Sequence, residues 1–191
     1  MTNLTAEQSI SDYARLSPDL VIDAIEHTGR LSDARVFPLN SYENRVYQVG
    51  LEEALPLVAK FYRPGRWSDA QIREEHAFTC ELAAAELPVI APIANADGET
   101  LFTYGDYRFA LFQRKGGQGM EAGDLDQLHR VGMLLGRVHQ IARQQPFQHR
   151  PALNVERFLS QPVRQVEMRL PSHLLAAYRA VVAQLQRLIE A

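Results

Sequence analysis

Apolar residues fall in short runs separated by turn residues up to about Phe112, and at helical spacing beyond Leu125. Ser17-Pro18 opens the first predicted helix in cap-then-N1 order; Val21, Ala24 and Ile25 give it an apolar face, and Gly29 ends it. Val36–Leu39 and Arg45–Val49 read as two short strands joined by a tip of suitable hairpin length, Asn40-Ser41-Tyr42-Glu43-Asn44. Leu57–Tyr62 is a third strand, stopped by Arg63-Pro64-Gly65. Ser68 with Gln71 three residues on predicts a capping box and a helix running to about Leu87, ahead of Pro88. Val89–Ile93, Thr100–Tyr104 and Arg108–Phe112 are further strand candidates, with turns at Asp97-Gly98 and Gly105-Asp106. After the glycine-rich Gly116-Gly117-Gln118-Gly119 the pattern is helical, over Leu125–Arg143 and from Ser172 to the end. Strands first and helices afterwards predict an α+β arrangement in two segregated pieces.

Composition narrows the function classes. With 191 residues, 46% of them hydrophobic, the chain can bury a core of its own. A formal net charge of −3 argues against a nucleic-acid surface. Cys80 is the only cysteine, so no disulfide framework or thiolate-rich zinc site is expected, and a reducing, cytoplasmic setting fits. The opening residues Met-Thr-Asn-Leu-Thr-Ala-Glu have neither the basic region nor the apolar core of a signal peptide. No apolar run nears the ~20 residues that would span a bilayer, so no membrane contact is expected.

Two residues stand out chemically. On a strand, Val58, Lys60 and Tyr62 share a face, which shields the lysine from water and favours its neutral form unless a partner is near. An edge-strand lysine reaching solvent is the simpler alternative. Glu75 falls near the middle of the stripe set by Ile72, Phe78, Leu82 and Ala85, with Glu74 at its edge. A carboxylate there needs a cation; Lys60 is the upstream candidate, and pairing with Arg73 or His76 at the surface is the alternative. A strand lysine paired with a helix glutamate is how protein kinases orient a nucleotide's phosphates.

Weaker signals surround that pair. The tip Asn40–Asn44 has no glycine, yet Ser41 and Asn44 could offer donors to phosphate oxygens, or simply be turn residues. Phe109–Gln113 running into Gly116 reads as a strand entering a connector, with Gln113 and Lys115 at the junction. His139, on a face with Leu128, Gly132 and Leu135, reads as a packed core histidine, and Gly132 with Gly136 as an allowance for close helix packing. Asp124 and Asp126 sit where a helix cap and first turn belong. The histidines show no metal-ligand spacing, so no metal site is expected.

Together, Leu39-Asn40-Ser41-Tyr42-Glu43-Asn44-Arg45-Val46-Tyr47, Ala59-Lys60-Phe61-Tyr62-Arg63-Pro64, Glu74-Glu75-His76, Leu135-Gly136-Arg137-Val138-His139-Gln140 and His149-Arg150-Pro151 resemble the stress response kinase A family. That family lies within the aminoglycoside-phosphotransferase and choline-kinase-like group. The resemblance implies a protein-kinase-like N-lobe, an antiparallel sheet plus one long helix, over residues 1–115, and the first helices of an α-helical C-lobe over 116–191. It implies ATP and Mg²⁺ as cofactors, phosphorylation of protein Ser/Thr, and a cytoplasmic role in stress survival. By position, Ser41 corresponds to the loop serine at the ATP site with Asn44 beside it, Lys60 to the phosphate-orienting lysine, Glu75 to its helix partner, and Gln113–Lys115 to the hinge.

One departure is large. The family's H-G-D-x-H-x-x-N catalytic loop and later metal-binding aspartate have no match: Asp126 is the last aspartate, and Asn154 the only asparagine after it. The chain therefore reads as the N-terminal, nucleotide-binding portion of such a kinase, with no catalytic residue or metal ligand of its own. Its apolar helices are expected to be exposed and to promote self-association. A small-molecule kinase acting on an amino alcohol or antibiotic, and a nucleotide-sensing module without phosphotransfer, are the alternatives.

Overall fold

The computed structural model describes residues 13–117, 119–121 and 123–190; the opening residues and Gln118 read above lie outside them. Ser17 caps α1 (Pro18–Glu26), its Oγ accepting the Leu20 N–H at 3.2 Å, and Gly29 leaves the helix at φ +81°. A five-stranded antiparallel sheet follows: β1 (Ser32–Leu39), β2 (Arg45–Leu51), β3 (Leu57–Phe61), β4 (Phe102–Tyr104) and β5 (Tyr107–Gln113), in spatial order β1-β2-β3-β5-β4. Asn40–Asn44 is the tip of the β1–β2 hairpin, whose last pair is Leu39 with Val46. Near its base the register shifts between Ser32 and Val36. There the Asp33 carboxylate lies against Gly50, where a Cβ would meet it at 2.1 Å and push the carboxylate aside.

The sheet is covered on both faces. Leu57, Ala59 and Phe61 of β3 point one way, and with Phe109 and Leu111 of β5 they bury Val21, Ala24 and Ile25 of α1. Tyr62 and Ala110 point the other way and pack on Ile72 of α2 (Asp69–Ala84). The capping box at the start of α2 is complete: Ser68 Oγ accepts the Gln71 N–H at 3.3 Å, and Gln71 Oε1 accepts the Ser68 N–H at 2.9 Å.

Three expectations need correction here. First, α2 ends at Ala84, short of Leu87, because Glu86 turns left-handed at φ +59° and the Leu87 and Glu86 N–H groups return to Leu82 and Ala83, a Schellman turn that buries Leu87. Second, Val89–Ile93 is not a strand. Only a Pro92–Phe112 bridge and the Ile93 N–H to Leu111 oxygen bond (2.7 Å) tie it to β5, and the proline cannot donate to a ladder. Third, His139 is exposed and nothing lies within 4 Å of a Cβ placed on Gly132 or Gly136, so the expected packing on that helix is absent among the described residues.

The rest is helical. Asp124 caps α3 (Leu125–Ala142), accepting the Gln127 N–H at 2.9 Å. The sequence reading missed a π-helical turn, Glu156–Ser160, that runs into α4 (Gln161–Glu167); the last helix is α5 (Ser172–Glu190). The chain divides into two compact units, the first ending at Arg150 and the second beginning at Pro151. No helix of the described residues is long and apolar enough to cross a membrane.

Candidate functional site

Lys60 projects from β3 on the α2 side, beside Val46 of β2 and Ala110 of β5 in the register. Its Nζ donates to Glu75 Oε1 at 2.9 Å and sits 4.8 Å from the centre of the Tyr62 ring. The pair is half-buried, the lysine side chain 22% exposed and the carboxylate 36%. Burial, then the nearby Arg150, push the Lys60 ammonium below its ordinary pKa, while Glu43 pulls it up. The alternative partners of Glu75 are engaged elsewhere. Arg73 bonds Glu99 at 3.4 Å, and His76 is buried under the pair between the Tyr62 hydroxyl (2.6 Å) and Thr100 Oγ1 (2.8 Å). Burial first, and the charge of Lys60 next, push His76 down to about 4, so it is neutral at physiological pH.

Glu74 and Glu75 divide their work. Glu74 accepts the backbone N–H groups of Gln148, His149 (3.0 Å) and Arg150 (2.6 Å), clamping that segment on the first turns of α2. Its carboxyl is thereby held below the usual range, backbone donation outweighing the opposing desolvation. Arg150 then reaches the second oxygen of Glu75, donates through Nε to the Gln71 carbonyl at 3.1 Å, and lies over the Trp67 ring at 4.2 Å. Sequence reading missed Arg150 in this role. It lies 75 positions from Glu75, so no helical or strand period connects them.

The other expected site residues are placed unevenly. Ser41 is exposed at the hairpin tip; Asn44 is half-buried with its Oδ1 lacking a hydrogen-bond partner. The tip is tied down by Glu43, whose carboxylate accepts Trp67 Nε1 at 2.9 Å and Arg66 Nε at 3.0 Å. Gln113 pairs with Leu57 and so projects to the α1 side of the sheet, away from Lys60. Gln113 and Lys115 line a cavity of about 500 Å³ together with Leu51, Leu55 and Ile93. The fold thus brings Lys60 and Glu75 into contact and links the tip to them through Trp67 and Arg150; the side chains at the connector lie elsewhere.

Residues 35–191 match the family described as phosphotransferase enzyme family. The chain belongs to that family. It is 46% identical over 154 residues to serine/threonine protein kinase RdoA of Salmonella typhimurium, covering 81% of this chain and 46% of that protein. Stress response kinase A of Escherichia coli K12 is 44% identical over 168 residues, covering 87% and 51%. The chain thus spans about half the length of the curated relatives it matches. Among solved structures, amicoumacin kinase hAmiN in complex with AMP-PNP, Ca²⁺ and Ami aligns at a TM-score of 0.68 and 17% identity, over 95% of this chain and 56% of that one. A microcompartment-associated aminopropanol kinase aligns at 0.62 and 18%, over 78% and 48%. These two likenesses carry the α+β fold and nothing finer.

In this phosphotransferase-family chain the chemistry available at the pair is oxyanion binding. An ammonium has three N–H donors, and Glu75 takes one of those on Lys60, leaving two for other acceptors. Arg150 puts a second cation on the same carboxylate, so the trio of Lys60, Glu75 and Arg150 carries one net positive charge in a half-buried setting.

Proposed function

We propose that this chain is the nucleotide-binding part of an ATP-dependent serine/threonine protein kinase of the stress response kinase A type, acting in the cytoplasm. The Lys60–Glu75 contact at 2.9 Å carries the reading, because it is the arrangement that aims a lysine at the phosphates of a bound nucleotide. Similarity at 44–46% identity to proteins named serine/threonine protein kinase and stress response kinase favours a protein substrate over a small molecule. Ser41 and Asn44 at the hairpin tip would supply further donors to phosphate oxygens, and the backbone of Gln113–Lys115 would meet the base. Magnesium would neutralise charge on the phosphates. Among the described residues no group of three His, Cys, Asp or Glu side chains could hold it, and the reading assigns it no ligand in this chain.

On this reading the 191 residues bind ATP weakly and transfer no phosphate. Nothing in them is assigned to accept the proton of the attacking hydroxyl; Asp124 is occupied as a helix cap, and Asp126 lies in the first turn behind it. A radiolabelled-ATP assay on the purified chain, with Mg²⁺ and a generic protein substrate beside a Lys60→Ala control, should give equal background in both. Turnover well above the control overturns the assignment of roles. In binding measurements Lys60→Met should abolish the weak ATP signal while leaving the melting temperature nearly unchanged. An amino alcohol or aminoglycoside that raises ATP affinity, where a Ser/Thr peptide does not, would favour the small-molecule alternative.

A further inference from the structure

Four contacts run in series across the candidate site. Glu43, in the hairpin tip, accepts Trp67 Nε1 at 2.9 Å; the Trp67 ring lies 4.2 Å under the Arg150 guanidinium; Arg150 holds one oxygen of Glu75; and Lys60 holds the other at 2.9 Å. We propose that Arg150, seated on Trp67, is a positioning residue that fixes the Glu75 carboxylate and through it the direction of the Lys60 ammonium, locking α2, the hairpin tip and β3 into one binding-competent arrangement. The inference rests on the nucleotide-binding reading above for its consequence, and on the contacts alone for its geometry.

The Glu75 carboxylate has two oxygens to be held. A half-buried Glu75 with Lys60 as its only partner could rotate about its terminal torsions, since a single hydrogen bond fixes one oxygen and leaves the other free. Arg150 occupies that other oxygen. A planar guanidinium that also donates to the Gln71 carbonyl at 3.1 Å and lies over an indole has little freedom left, so the carboxylate plane is set from the Arg150 side. The arginine is in turn fixed at its backbone, where Glu74 accepts its N–H at 2.6 Å. Glu74 thus holds the segment and Glu75 receives its side chain, and two adjacent carboxylates on α2 are needed for the device. When a polyphosphate draws Lys60 toward itself, Glu75 retains Arg150 as its counter-ion. The carboxylate is then not left unpaired beside the incoming negative charge, which would repel it.

The chain's composition makes the test simple. Lys60 and Lys115 are its two lysines and Trp67 its one tryptophan. In ¹⁵N-lysine-labelled protein, solvent exchange of the Lys60 ammonium protons is read by NMR with exposed Lys115 as internal control, and ATP binding is followed by Trp67 fluorescence. Loss of the Arg150 charge raises the Lys60 pKa and by itself slows exchange alike in either background. Relative to that common factor, Arg150→Ala and the better-folding Arg150→Gln should each speed Lys60 exchange about tenfold when Glu75 is present, the middle of the range for coupling between contacting residues. In a Glu75→Gln background the same changes should leave the common slowing, with no gain above about twofold. Exchange altered by the same factor in both backgrounds, in either direction or not at all, overturns the positioning role. If the Glu75-dependent coupling is found and the wild-type chain binds no ATP, the positioning role stands and the nucleotide-binding reading falls. If ATP binds, Arg150→Gln should weaken it several-fold with Glu75 present and leave it unchanged with Gln at 75; equal weakening in both would mean that Arg150 meets the phosphates directly, against the proposal.

Discussion

Helices α1 and α3 carry the same sequence signal, an apolar stripe at helical spacing, and meet opposite fates. In α1, Val21, Ala24 and Ile25 are fully buried against the sheet. In α3 no residue is buried, and Met133 and Leu135 remain 60% and 53% exposed. The same contrast extends to α5, where no described residue is buried and Leu188 is 69% exposed. Amphipathicity records that a helix has a side meant to be covered, but not what covers it. For α1 and α2 the covering surface is the sheet, supplied within about a hundred residues of chain. For α3 and α5 it is absent among the described residues. An uncovered apolar stripe of this kind, on either helix, marks an interaction face or an aggregation liability.

Core truncation should separate the two regions most sharply. Phe61 is fully buried, with its ring stacked on Phe109 at 5.1 Å and edge-on to Tyr47 and Tyr107. Phe61→Ala should cost about 3–5 kcal/mol in urea unfolding, whereas Leu135→Ala should stay within about 0.5 kcal/mol. Comparable losses at the two positions would remove the distinction between a closed and an open region.

Acid should act next, and first on the sheet region. The folded pKa of His76, about 4, lies below its ordinary 6.5, so the unfolded chain binds the proton more readily. Stability is therefore full above about pH 6.5 and falls as pH drops through the window down to about 4, by on the order of 3 kcal/mol. Replacing His76 with Gln should flatten the melting temperature across that window. A wild-type melting temperature independent of pH there would mean that the buried imidazole tolerates its charge.

Helix caps sharpen the comparison on a smaller scale. Ser68→Ala removes half of the capping box of α2 and should cost about 1 kcal/mol. Asp124→Ala, at the start of a helix that buries nothing, should fray α3 locally in hydrogen exchange and leave the global unfolding midpoint in place. A shift of the midpoint as large as that from Ser68→Ala would show α3 to be part of the cooperative core. The smallest effect on stability belongs to the joint replacement of Met133, Leu135 and Leu188 by serine. Its signature should be in sedimentation, where the wild-type chain is expected to self-associate and the variant to run as a monomer. A monodisperse wild type would count against adhesive faces on these helices.

Much of the sheet region was legible because its signals are local. Ser17-Pro18, Ser68 with Gln71, and the hairpin between Leu39 and Arg45 act over a few bonds, and each appears where the pattern put it. Val89–Ile93 misled because an apolar run also suits an extended segment that crosses a sheet edge with a single bridge. Within the site, period alone placed Lys60 toward α2 and Glu75 on the side of α2 that meets it. It left open whether the two touch, and gave no hint that His76, beside Glu75, would be the buried one.

The sequence by itself determined which residues cap, which alternate and which carry charge on an apolar face, because backbone period and capping are set by near neighbours. Tertiary structure decided that Glu75, which its place on the helix already favoured, touches Lys60, and that Glu74 turns to the backbone of Gln148–Arg150. It also decided that Arg150 completes the trio from 75 positions away. Those choices depend on how two carboxylates one residue apart, about 100° around a helix axis, face different neighbours. No local rule specifies which neighbour the folded chain will bring to each.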